Sequence, residues 1–224
     1  MTYYTNPISF FRAADDHIHR IIKAEQIVNL WRVCFFLVIF SMLIYGWTAY
    51  LGVGSNLISE QAVTLSNIDY EVSKFWFIIG RFLWGLIFAL FILFIPSLLY
   101  YLLTDIPYQK LLIMQQIVLV VLLVERLIWV PMALLIGLDW YVSPLSFGVI
   151  ASYLTDTSWI IYFFGTISLF QIWVIWFQAK YLISLSQSKK YVVWLNVILL
   201  HIVSWCLVTV IAFADSYLIN GWFN

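Results

Sequence analysis

Apolar residues run almost unbroken through five stretches of the chain: Leu30 to Leu51, Phe75 to Leu103, Leu111 to Leu138, Trp159 to Leu185 and Tyr191 to Ile219. A helix rises about 1.5 Å per residue, so roughly 20 apolar residues cross a hydrocarbon core about 30 Å thick. Every stretch meets that length. A barrel strand would alternate polar and apolar positions, whereas Phe35-Phe36-Leu37-Val38-Ile39-Phe40 is apolar on all sides. The pattern therefore predicts an all-α integral membrane protein with five transmembrane helices. The longer stretches leave room for tilt. Pro96 and Pro131 fall late in the second and third stretches. Each removes a backbone donor, which predicts a kink.

Between the stretches the chain is informative in two places. Asn6-Pro7 supplies a helix cap and a first-turn proline. After it, Phe11, Ile18, Ile21, Ile22 and Val28 recur near helical spacing, with Asp15, Asp16, His19, Arg20 and Lys23 mostly on other faces. Residues 1–29 are thus expected to form an amphipathic helix at the cytoplasmic interface, either a plain anchor or a docking helix. Residues 30–224 are expected to form one five-span domain. The link from Asp139 to Ser158 carries Trp140, Tyr141, Leu145, Phe147, Val149, Ile150 and Tyr153, interrupted by Pro144 and Gly148. It is too apolar for a solvated linker, so it is expected in the outer interface or folded back over the bundle. Thr104–Lys110 and Ser186–Lys190 are short enough to close antiparallel hairpins.

Charge orients the bundle. Arg12, Arg20, Lys23 and Arg32 precede or edge the first span, Lys110 lies in the second link, and Lys180, Lys189 and Lys190 flank the fourth. The other two links hold Lys74 as their only basic residue, beside Glu60, Asp69, Glu71, Asp139 and Asp156. The positive-inside bias then puts the N-terminus in the cytoplasm and Asn224 outside, most naturally across a plasma membrane. The first thirty residues lack the pattern of a cleaved signal, so the first apolar run is expected to stay in the membrane.

Composition agrees. The chain is 64% hydrophobic and only 10% charged, against about 25% charged in soluble domains. Trp and Tyr number 12 and 14, and such rings favour membrane interfaces. Net charge is zero, so nothing draws the chain to nucleic acid. Cys34 and Cys206 lie inside apolar runs and read as packed thiols. His17 and His19 face apart on a helix, and His201 with Cys206 lacks a third ligand. No zinc-protease helix, nucleophile elbow or phosphate-cradling loop is present. No cofactor is implied, and the chain reads as a non-enzyme.

Charged groups at membrane depth cost about 2.5–3.5 kcal/mol each on insertion scales unless paired or wetted. Glu125, Arg126, Gln171 and His201 fall at similar depths and, with Arg81 about two turns inside the second span on its outer side, form a candidate intramembrane polar cluster, with Asn196 nearby in the last span. Adjacent helical residues point about 100° apart, so Glu125 and Arg126 need separate partners. Arg81 suits Glu125, and Gln171 or a carbonyl suits Arg126. Gln115 shares the face of Arg126. Such groups either fasten helices together or line a proton or substrate path.

The layout resembles the Yip (Ypt-interacting-protein) family of small five-span membrane proteins. The features in common are closely spaced spans and an N-terminal Asn-Pro leading into an amphipathic segment, here Asn6-Pro7-Ile8-Ser9-Phe10-Phe11. The Asp-Leu-Tyr-Gly-Pro type motif and the long polar N-terminal region of eukaryotic members are absent, as in short bacterial relatives. The resemblance implies a non-catalytic accessory or assembly partner of a membrane complex, such as an ABC-type exporter, or a role in trafficking. Its expected partners are the lipid bilayer and another membrane protein or a second copy. A small transporter or channel subunit using the midplane polar residues is the alternative.

Overall fold

The computed structural model describes residues 1–55, 59, 65–136, 143 and 145–222. The chain divides into two compact units, Met1–Leu134 and Leu135–Asn224.

The first unit begins with a small module that the apolar spacing does not foretell. Strand β1 (Thr2–Tyr4) pairs in parallel with β2 (Gln26–Val28). Between them lie α1 (Pro7–Phe10) and α2 (Ala14–Lys23). The amphipathic segment is therefore a helix held between two strands rather than one continuous helix. Asn6 Oδ1 accepts from the Ser9 amide at 3.1 Å and Pro7 opens α1, as the sequence predicts. Helix α2 carries Asp15 and Asp16 in its first turn and Arg20 and Lys23 in its last, complementing its dipole. Lys110 Nζ donates to the Ile22 carbonyl at 2.9 Å, adding a cation where that helix ends. Tyr3, Phe10, Ile18 and Ile21 are buried.

Tyr3 and His17 close this module, with 3.0 Å between the Tyr3 hydroxyl and Nδ1. Burial pushes the Tyr3 phenol up to about 12. Burial also lowers the His17 pKa, the Arg20 charge acts in the same sense, and Asp16 opposes. The phenol is thus protonated and the imidazole neutral near pH 7. Tyr3 can then donate and Nδ1 accept.

Asn29, in the left-handed region at φ 66°, turns the chain into α3 (Leu30–Tyr50). Gly52 and Gly54, also at positive φ, let the chain leave it where other residues would strain. Helix α4 (Asn67–Leu103) has 37 residues and starts eight residues before the apolar stretch. Ser66 accepts from the Asp69 amide, and Lys74 pairs with Glu71 at 3.0 Å, so these polar first turns are capped and self-paired. Helix α5 (Tyr108–Ile136) follows. Both α4 and α5 continue through their prolines, Pro96 and Pro131.

The second unit contains α6 (Gly148–Leu154), α7 (Ser158–Thr166), α8 (Leu169–Leu185) and α9 (Lys190–Trp222). The fourth apolar stretch is not one rod: it breaks at Ile167–Ser168. Residues 137–142 and 144, including the start of the apolar link, lie outside the described residues, but the rest of the link forms α6 and folds onto α7. A Cβ on Gly148 would sit 2.6 Å from the Gly165 Cα, so the two backbones meet at glycines.

Among the described residues, four helices are long and apolar enough to cross a membrane: Leu30–Tyr50, Asn67–Leu103, Tyr108–Leu135 and Lys190–Phe213. Helix α8 is apolar but shorter. What these helices expose is as telling as their length. Phe36 is 68% and Ile87 56% exposed, while Ser41, Ser97, Gln115 and Gln116 are fully buried. In water this arrangement would be inside out. An apolar surrounding makes it stable.

Small residues set the distance between α3 and α4. Ser41 Oγ donates to the Gly85 carbonyl at 2.8 Å. A Cβ on Gly85 would lie 2.9 Å from both the Met42 Cα and the Ser41 carbonyl oxygen. Gly46 likewise faces the Phe82 ring. Because backbone cannot swing aside, Gly85→Ala should separate the helices and cost about 1–3 kcal/mol. Gly80 has nothing within 4 Å of its Cβ position. Gly80→Ala should be neutral or slightly stabilising, since alanine favours helix. Denaturation in detergent, followed by circular dichroism, separates the two. Equal effects would refute the close approach.

Candidate functional site

Of the five residues of the expected polar cluster, three lie in the first unit and two in the second. In the first unit Arg81 (α4), Glu125 and Arg126 (α5) gather around Tyr45 of α3. All three charges act on Tyr45, the Arg126 charge most strongly. The Arg126 guanidinium lies 3.9 Å from the Trp129 ring centroid and 5.1 Å from that of Tyr45. Trp129 is one turn along α5, so the side chain stacks on its own helix while reaching α3. Arg81 and Glu125 influence Arg126 electrostatically, Arg81 unfavourably and Glu125 favourably. The Arg81 guanidinium also sits 5.1 Å from the Phe77 ring, one turn before it. The Nε of Arg126 is buried and has no hydrogen-bond acceptor among the described residues.

Below this group, the glutamine pair of α5 meets the start of α3. Gln115 and Gln116 are both fully buried. Gln116 Nε2 donates to the Leu30 carbonyl at 3.0 Å and to Cys34 Sγ at 3.1 Å. The first of these bonds uses a carbonyl in the first turn of α3, so one amide fixes the axial register of two helices. Cys34 is a buried packed thiol, as expected, whereas Cys206 is not packed away but exposed on α9.

The second unit has its own polar seam, built on a residue that depth alone does not single out. His201 Nε2 of α9 lies 2.9 Å from Gln178 Oε1 of α8, and both side chains are buried. A carbonyl oxygen can only accept, so Nε2 carries the proton. Gln171, the expected member, sits instead in the first turn of α8, where its amide donates to Ser168 Oγ at 3.2 Å. Trp205, one turn after His201, has its ring 5.9 Å from the imidazole and 6.5 Å from Phe163 of α7.

The break before α8 is bridged at the backbone. Ser146 and Ser168 form an antiparallel bridge. Phe147 N donates to the Ile167 carbonyl at 3.0 Å, and Leu169 N to the Leu145 carbonyl at 3.1 Å. Groups that a continuous helix would satisfy are thus satisfied by the link, which an apolar surrounding demands.

Among the described residues no three His, Cys, Asp or Glu side chains converge as a metal site would require. The chain matches no protein-family model, no curated protein and no solved structure.

The His201–Gln178 contact should behave as a fastener. His201→Leu removes the donor from a buried carbonyl and should cost about 1–3 kcal/mol. The pair Gln178→Leu with His201→Leu should cost less than the sum, with a coupling of roughly 0.6–2 kcal/mol. A double-mutant cycle on unfolding in mixed micelles reads this coupling. Strict additivity would show that the two groups do not act together.

Proposed function

We propose that this chain is a five-span membrane protein that acts without catalysis, as an accessory or assembly partner of a membrane complex, of the ABC-exporter type or in trafficking. On this reading it sits in a plasma membrane with its N-terminus cytoplasmic and Asn224 outside, the orientation that its Lys and Arg residues favour. The fourth span, which completes the five, would be α7 and α8 together. Helix α8 alone, at about 1.5 Å per residue, reaches about 26 Å, just short of the hydrocarbon thickness. The Yip-type layout is in keeping with this role.

One observation carries the reading. An N-terminal segment that merely anchored the chain would keep its apolar face for lipid. Here Ile18 and Ile21 of α2 are buried within the protein, and Asp16, His19, Arg20 and Lys23 are turned outward. A rigid, charged helix face held beside the membrane suits a protein partner better than a lipid one.

A photo-crosslinking residue at His19, irradiated in native membranes, should yield an adduct with another integral membrane protein. Arg20→Glu should weaken it severalfold. Adducts with lipid alone, or with none, would sink the reading. The transporter alternative draws on the interruption at Ile167–Ser168, since transporters place substrates at broken helices. Flux through proteoliposomes of the purified chain, lost in Glu125→Gln, would favour that alternative.

A further inference from the structure

The N-terminal module hangs on few contacts. Its sheet is two strands of three residues, with Thr2 opposite Gln26, Tyr3 opposite Ile27 and Tyr4 opposite Val28. A strand pair that short is marginal by itself. Tyr3 joins the sheet to α2. Its ring is buried, its hydroxyl lies 3.0 Å from His17 Nδ1, and the two rings meet edge to face at 6.0 Å. Phe10 of α1 closes another side, 5.8 Å from the imidazole. One imidazole on α2 therefore touches both β1 and α1.

Charge on His17 is incompatible with this contact. The neutral imidazole accepts the Tyr3 proton at Nδ1. A protonated imidazole carries hydrogen on both nitrogens and accepts nothing. The phenol oxygen could then only accept from Nδ1, and its own proton would lose its acceptor, since the hydroxyl has no other partner among the described residues. The charged groups acting on His17 are Arg20 and Asp16 of its own helix, while β1 presents the Tyr3 phenol and α1 the Phe10 ring. Burial and then the Arg20 charge disfavour the imidazolium, and exposed Asp16 opposes them less strongly.

We propose that the Tyr3–His17 contact is an acid-sensitive latch: protonation of His17 releases β1 from α2 and opens the N-terminal module. In an opened segment the imidazole takes its proton near its ordinary value of 6.5, whereas in the closed module it does so only at lower pH. Closure is therefore at full strength above 6.5 and weakens as pH falls from there through the lower value of the closed state. The latch holds the helix whose outward face carries Asp16, His19, Arg20 and Lys23, so acid loosens that face and leaves the spans intact.

Hydrogen exchange, read by mass spectrometry on the full chain in lipid nanodiscs, tests the latch at about pH 7.5 and about pH 5, on either side of the ordinary histidine value. Each rate is divided by the intrinsic rate at that pH to give a protection factor. In wild type, protection of the α2 and β2 amides should fall roughly tenfold at the lower pH, as befits one buried donor left without an acceptor. Protection along α5 should stay constant. His17→Asn keeps an acceptor oxygen where Nδ1 stands and does not titrate, so its module should stay protected at both pH values. Tyr3→Phe removes the donor, so protection should already be low at the higher pH, with little further loss in acid. Should His17→Asn not close the module, Tyr3→Phe decides the matter.

Equal protection of wild type at both pH values would overturn the latch. So would an undiminished acid response in His17→Asn or Tyr3→Phe, which would assign the effect to carboxylates. A loss spread equally over α5 would count against it as well, as general unfolding. Exchange is read with no partner present, so failure of the latch and failure of the docking role are separate results.

Discussion

A polar group that cannot reach water must find its partner within the protein, and that constraint organises every described contact among the long helices. The hydroxyl of Ser41 goes to a carbonyl of the next helix. Those of Thr48 and Ser97 return to their own helices four residues back. Gln116 spans two helices with one amide. The hydrophobic effect cannot drive such helices together in lipid, because the outside is as apolar as the inside. Close backbone approach and internal hydrogen bonds take its place. That is why Ser41 and Gly85 stand where the α3 and α4 backbones come closest.

The same constraint explains the two irregular regions. Where α7 gives way to α8, the exposed amides and carbonyls are taken up by the strand-like residues beside Ser146. Where the N-terminal residues leave the first span, they pair β1 with β2 and bury their own apolar side chains. In each case the chain solves its backbone bonding locally before anything else. This economy has exceptions: among the described residues, buried Arg126 Nε, Gln116 Oε1 and Trp205 Nε1 have no hydrogen-bond partner.

Much of this was legible in the sequence, for physical reasons that differ by element. Long apolar runs mark α3, α4, α5 and α9 because length is what a bilayer selects. The Asn6-Pro7 cap is local chemistry and reads directly. The need of a charged pair in lipid for a partner on the neighbouring hairpin helix linked Arg81 to Glu125, beside Arg126. It could not identify Tyr45, because a tyrosine inside an aromatic-rich run carries no mark of its partner. Depth counting named Gln171 and not Gln178, which shares its helix face but lies about 10 Å further along α8, so here the height itself was misjudged. The break at Ile167–Ser168 has no proline, and only Gly165 hints at it. Strands of three residues, paired across more than twenty positions, leave no periodicity to read.

The account stands on one claim, that the exposed faces of the long helices are bathed in hydrocarbon. Nitroxide labels at Phe36, Ile87 and Leu199, in chain reconstituted into bilayers, test it most directly through their collisions with oxygen and with a water-soluble nickel chelate. Lipid-facing positions should collide often with oxygen and rarely with the chelate. Ready access of the chelate to all three labels would contradict the claim and, with it, the logic of every buried polar contact described above.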